Sequence, residues 1–131
     1  MRRTDEWSER GTDMIHEMQL TPDPFRMIKD GTKTIELRLY DEKRRKIKIG
    51  DTIVFRNTES GELLEVSVED LFVFDSFASL YKELPLLSCG YTKEDIDSAS
   101  PDDMDVYYSK EQQKQYGVVG VKINKDGKPT R

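Results

Sequence analysis

The stretch GTKTIELRLYDEKRRKIKIGD, Gly31 to Asp51, decides how this chain is read. From Thr34 to Tyr40 the residues alternate with a period of two. Ile35, Leu37 and Leu39 fall on one face, and Thr34, Glu36, Arg38 and Tyr40 on the other. This predicts a strand with an aliphatic face that must pack and a polar face with opposite charges two residues apart. Such a pair is most often a solvated ion pair worth less than about 1 kcal/mol. Here Lys33 stands beside it at a helix-to-strand junction, and Gly31 allows another segment or a ligand to approach closely. A lysine, a glutamate and an arginine at one strand end suit a planar polar ligand such as a nucleobase. The guanidinium offers a flat fork of donors, and the carboxylate accepts from an exocyclic amine.

The run that follows, Lys43 to Lys48, is strongly basic and has a choice of fates. Most such runs are charged surface turns. The functional reading is phosphate contact by Arg44, Arg45 and Lys46, with steep salt dependence. Charge distribution bears on this choice. The chain carries a net −5, yet Arg26–Lys48 holds nine Lys/Arg against four Asp/Glu, and Glu83–Asp105 holds seven acids against one lysine. A basic face can therefore meet an anion on a protein that is acidic overall. Tyr107 and Tyr108 are candidates to stack on a base, against the alternative that one fills the core and the other covers it.

Outward from this strand, IHEMQL (Ile15–Leu20) reads as a strand, and TPDPFRMIKDG as a helix with Thr21 or Asp23 as its cap, Pro24 in its first turn and Gly31 at its end. TIVFRN and Leu63–Phe74 form a hairpin about the turn Glu59–Glu62. Ser76 caps a helix that Pro85 ends. A helix is expected from Thr92, another through DDMDVYYSKEQQKQY, and a last strand through YGVVGVKI. About five strands with short helices predict a mainly β, α+β fold: a small barrel with helices at its mouth. Ile35, Leu37, Leu39, Ile53, Phe55, Val119 and Val121 are expected to form one core.

The 131 residues fit a single domain. The expected division is an N-terminal extension over 1–13, a folded domain over 14–124 and a polar tail over 125–131. The extension carries few apolar residues besides Trp7, and Met14 is a candidate functional start. One cysteine, Cys89, excludes an internal disulfide, and with one histidine, His16, it makes a poor metal pair. No metal or cofactor is expected. His16 reads as structural and Cys89 as a buried inert thiol. No apolar run is long enough for a signal peptide or a membrane span, so the expected setting is the reducing cytoplasm.

Gly31-x-Lys33-x-x-Glu36-x-Arg38, the downstream IKIGDTIVF and the closing YYSKEQQKQYGVVGVKI together resemble the ASCH domain family (activating signal cointegrator homology), over about Ile15 to Ile123. The resemblance implies a PUA-like small β-barrel flanked by short helices. It also implies a cleft for RNA or a nucleotide-like ligand, with Lys33, Glu36 and Arg38 at that cleft. Some bacterial members resemble amidohydrolases that deacylate acetylated cytidine with a lysine, a threonine and a distant glutamate, and other relatives are ribonucleases. Lys33 matches the lysine and is the candidate catalytic residue of that alternative. Glu36 stands in the threonine's place, and no acid stands at Cys89–Gly90. A third class of function, a protein-interaction module, would use the acidic Glu83–Asp105 segment and the Trp7 extension.

Overall fold

The computed structural model describes residues 14–125. The chain runs through β1 (Ile15–Leu20), α1 (Pro22–Asp30), β2 (Ile35–Leu39), β3 (Thr52–Asn57), β4 (Leu63–Phe74), α2 (Phe77–Glu83), α3 (Lys110–Tyr116) and β5 (Val118–Asn124). Short 3-10 turns at Arg44–Lys46, Leu86–Cys89, Ile96–Ser98 and Pro101–Val106 fill the connections. The expected extension over 1–13, with Trp7, lies outside the described residues, as does the tail beyond Lys125.

Five strands form one mixed sheet in the order β1-β3-β4-β5-β2. β1 runs parallel to β3, and the other neighbours are antiparallel. The sheet curls into a half-barrel, the α+β, PUA-like architecture expected from the sequence. Its two edge strands are β1 and β2, and α1 connects them. Prolines 22 and 24 suit the first turn of α1, and Gly31 ends it at φ 87°, where its amide and that of Thr32 meet the last carbonyls. Thr21 stands at the helix start without a side-chain cap bond.

Cross-strand register assigns the faces. Glu36 lies opposite Val121 and Arg38 opposite Val119, whereas Leu37 lies opposite Gly120 and Leu39 opposite Val118. Directly opposed residues share a face. The expected single core is therefore two. Met18, Leu20, Phe25, Ile28, Ile53, Phe55, Val66, Val68, Val119, Val121 and Ile123 pack inside the curl. Ile35, Leu37 and Leu39 pack on the other face with Phe77, Leu80, Cys89, Met104 and Val118. The strand phase itself holds: Leu37 is buried, at 7% exposure. What the period could not convey is that α2 and the 3-10 turns cover the outer face of β2, so both of its faces are buried and the polar pair shares the inner one.

Two expected helices also differ. From Thr92 the chain makes a turn, with the Thr92 amide donating to Asp95 Oδ1 at 2.6 Å, and a 3-10 turn follows at Ile96–Ser98. The single helix expected through Tyr107–Tyr108 is broken there. Ser100 and Ser109 each form a capping box, with Asp103 and Gln112 respectively, so two separate elements start where one was expected.

Leu37→Ala removes a buried side chain from the outer core. It should destabilise the protein by about 2–5 kcal/mol, read as a lower urea midpoint with an unchanged slope.

Candidate functional site

A half-barrel whose edges do not pair leaves a seam, and two cations cap it. Arg38 Nη2 donates to the Gln19 carbonyl at 2.8 Å, and Lys43 Nζ donates to the Glu17 carbonyl at 2.7 Å. Residues 17 and 19 are in the same phase of β1, so the same edge presents both carbonyls. Unmet edge groups are a liability that side chains can cover.

Arg38 is held by Glu36. Its Nε donates to Glu36 Oε2 at 2.7 Å, while Lys33 Nζ lies 3.0 Å from Glu36 Oε1. Oε1 is buried, and Lys33 approaches it as an ion pair outside hydrogen-bonding angles. Glu36 is 4% exposed, and the Lys33 and Arg38 side chains are 11% and 12% exposed. Burial works to raise the Glu36 carboxyl, but the Lys33 and Arg38 charges, with the Arg38 bond, outweigh it and hold the group below the ordinary glutamate range. Burial works against the Arg38 charge, and Glu36 more than restores it.

These three side chains line a cavity of about 530 Å³ together with Tyr91, Tyr107 and Tyr108. Gly90 belongs to it. Its φ of +115° is a left-handed conformation that favours glycine, and the Lys33 stem packs beside it, within 3.4 Å of where a Cβ would stand. Beside it, burial pushes the Cys89 thiol up to about 11, which favours the neutral thiol at physiological pH. Tyr81 and Tyr91 hydroxyls lie 2.7 Å apart, and Tyr91 donates to Asp103 Oδ2 at 2.6 Å. Burial, with the bonds to Asp103 and Tyr81, pushes the Tyr91 phenol far up. Asp23, Asp95 and Asp103 also line the cavity, so its carboxylates outnumber Lys33 and Arg38.

The helix break separates the tyrosines. Tyr108 stacks on Phe77, with ring centroids 6.3 Å apart and planes 16° from parallel. Tyr107 is 67% exposed at the cavity rim. Core packing and rim exposure are thus divided between neighbours.

Members of the basic turn have different partners, and only Lys43 and Arg44 line a cavity together. Arg44 pairs with Asp41 at 3.1 Å and lines a second cavity of about 490 Å³ on the outer side of the seam. Arg45 donates to the Tyr116 carbonyl at 3.0 Å and lies over the Tyr40 ring. Neither Arg45 nor Lys46 lines either of these cavities. His16, which lacks an acid near it in sequence, finds one in space. Its Nε2 is 2.8 Å from Asp51 Oδ2, and both are buried. Asp51 also accepts from the Met14 and Lys48 amides, joining the starts of β1 and β3. This histidine is structural. Among the described residues no group of three or more His, Cys, Asp or Glu is placed to hold a metal ion.

Sequence reasoning missed Gln19, Tyr91 and Asp103. The S-x-x-D pattern at Ser100 was a legible sign that a turn there presents Asp103. Nothing local marks a backbone carbonyl on β1 as the partner of Arg38.

A mixed sheet curled into a half-barrel, with a polar cleft at its seam, has the PUA-like architecture. The family model for the ASCH domain matches residues 18–126, so the chain belongs to the ASCH domain family. Two solved structures share the fold. The crystal structure of hypothetical protein PH0355 is 36% identical, with a TM-score of 0.71, covering 85% of this chain and 98% of that one. The solution NMR structure of protein PF0455 from Pyrococcus furiosus is also 36% identical, with a TM-score of 0.66, covering 85% of this chain and 96% of that one. Comparison with curated proteins finds no match.

Glu36→Gln should destabilise the protein by about 3–5 kcal/mol at neutral pH, because two buried cations lose their shared partner. The folded pKa of Glu36 lies below its unfolded value, so the folded state binds fewer protons there. The contribution is full above the unfolded value of about 4.3 and is lost as pH falls through the folded value. Urea denaturation at pH 7 and pH 3 should show the gap between wild type and variant narrowing at the lower pH.

Proposed function

We propose that the cavity at the β1–β2 seam binds RNA or a nucleotide-like ligand, taking a single base against Lys33 and Arg38 and stacking it on Tyr107. The observation that carries this reading is the buried Lys33–Glu36–Arg38 row on the cavity wall. Glu36 acts on a ligand chiefly through the cations it holds, because its Oε1 is out of reach of solvent. Two fixed donors then meet carbonyl oxygens or ring nitrogens of a planar base. Excess carboxylate in the cavity favours an uncharged base over an anion at this depth. Tyr107 supplies an exposed π-face at the mouth, where stacking tolerates any base.

Hydrolysis is the weaker reading. Its lysine is present, but Lys33 is engaged by Glu36, and the Cys89–Gly90 segment that packs on it brings no acid. We place the protein in a reducing, cytoplasmic setting; among the described residues no helix is long and apolar enough to cross a membrane, and the lone cysteine is buried.

Titration of fluorescently labelled single-stranded RNA tetramers should show saturable binding. Tyr107→Ala removes an exposed side chain and should weaken binding by about 1–3 kcal/mol with the melting temperature unchanged. Arg38→Ala should abolish it, as the planar fork inside the pocket is lost. Chromatography of acetylated cytidine incubated with the protein should show no deacylation. Turnover that Lys33→Ala abolishes would instead establish the hydrolase, and absence of both binding and turnover would remove the nucleic-acid reading.

A further inference from the structure

The two cavities at the seam share Gln19 and Arg38 and differ sharply in charge. The inner one is lined by Lys33 and Arg38 against Asp23, Glu36, Asp95 and Asp103. The outer one is lined by Arg38, Lys43, Arg44 and Arg56 against Glu17 alone. Arg56 comes from β3, outside the basic turn, and its phase puts it on the outer face, opposite Leu63.

Each cation in the outer groove has donor capacity left. Lys43 gives one bond, to the Glu17 carbonyl, and an ammonium has three donors. Arg38 commits Nε and Nη2, and its Nη1 makes no hydrogen bond among the described residues. Arg44 uses its backbone amide and Nη1 on Asp41, while its Nε is buried without a hydrogen-bond partner among the described residues. The Arg44 Nη2 makes no hydrogen bond among the described residues, which leaves that nitrogen for a ligand. Arg56 is exposed and has no ion pair or side-chain hydrogen bond among the described residues.

We infer that this outer groove is a phosphate site, formed by Arg56, Arg44, Lys43 and Arg38, for the phosphate attached to the nucleoside whose base fills the inner cavity. The inference rests on the base-binding reading above and assigns it a ligand class: a nucleoside monophosphate or one phosphodiester of a strand, with its sugar lying over Arg38. Adjoining sites of opposite character fit such a molecule, whose base is neutral and whose phosphate is anionic. Charge separation also orders the ligand, because a phosphate in the inner cavity would face four carboxylates.

The test uses calorimetric titration of the full chain with the four common ribonucleosides, their 3′- and 5′-monophosphates, and inorganic phosphate. At least one nucleoside should bind, and one of its monophosphates should bind roughly tenfold tighter at low salt. The isomer that gains reports the direction in which the strand runs. Arg56→Ala should remove most of that gain while leaving nucleoside affinity and melting temperature unchanged, and Arg56→Lys should restore part of it. Salt dependence of monophosphate binding should flatten by about one unit of slope in Arg56→Ala. A nucleoside that binds as tightly as both its monophosphates would overturn the phosphate site and leave the base site standing. A gain that survives Arg56→Ala would overturn it as well. If neither nucleosides nor monophosphates bind, both readings fall, and phosphate binding without nucleoside binding would retain the groove and remove the base site.

Discussion

A carboxylate buried between two cations sets the form of this molecule. Glu36 occupies a strand with both faces covered, and it lies there ionised only because Lys33 and Arg38 approach its two oxygens. Removing three charges from water costs several kcal/mol per ion, and attraction at this distance offsets that cost without a large surplus. The triad is a poor device for stability alone. Its consequence is placement: Arg38, fixed by Glu36, reaches across to the Gln19 carbonyl and ties β2 to the β1 edge. The seam, and with it both cavities, depends on that arginine's direction.

The surrounding elements follow from the same constraint. A strand buried on both faces needs a second apolar layer, which α2 and the 3-10 turns supply through Phe77, Leu80 and Met104. Building that layer brings Tyr91, Tyr107 and Tyr108 over the polar end of β2, and the break at Ser109 turns one tyrosine inward and its neighbour outward. The inner cavity thus arises where the cover over the outer core meets the edge of the inner one. Lys43 caps a second edge carbonyl, and this draws the basic turn against β1 and frames the outer groove.

Much of this was legible in the chain. The strand period placed Glu36 and Arg38 together and Leu37 opposite, and the family motif pointed to the same residues. Five strands and their order of appearance could be read from period and turn residues. Which face of β2 turned inward could not, because a period of two says nothing about what covers each face. The basic turn read as one patch, yet Lys43, Arg44 and Arg45 each have a different partner, two of them backbone carbonyls that carry no sequence signal. Arg56 and Asp51 were invisible for a related reason. Their roles come from neighbours 35 or more residues away in sequence or from cavities that only the curl of the sheet creates.

The most direct test is the titration of the Glu36 carboxyl carbon by carbon-13 NMR, assigned with Glu36→Gln. The Glu36 carboxyl should titrate below the protein's surface glutamates, and its resonance should change further when a nucleoside fills the cavity. A carboxyl that titrates at or above the ordinary glutamate value would show that Glu36 is not held ionised between Lys33 and Arg38, and the site described here would lose its foundation.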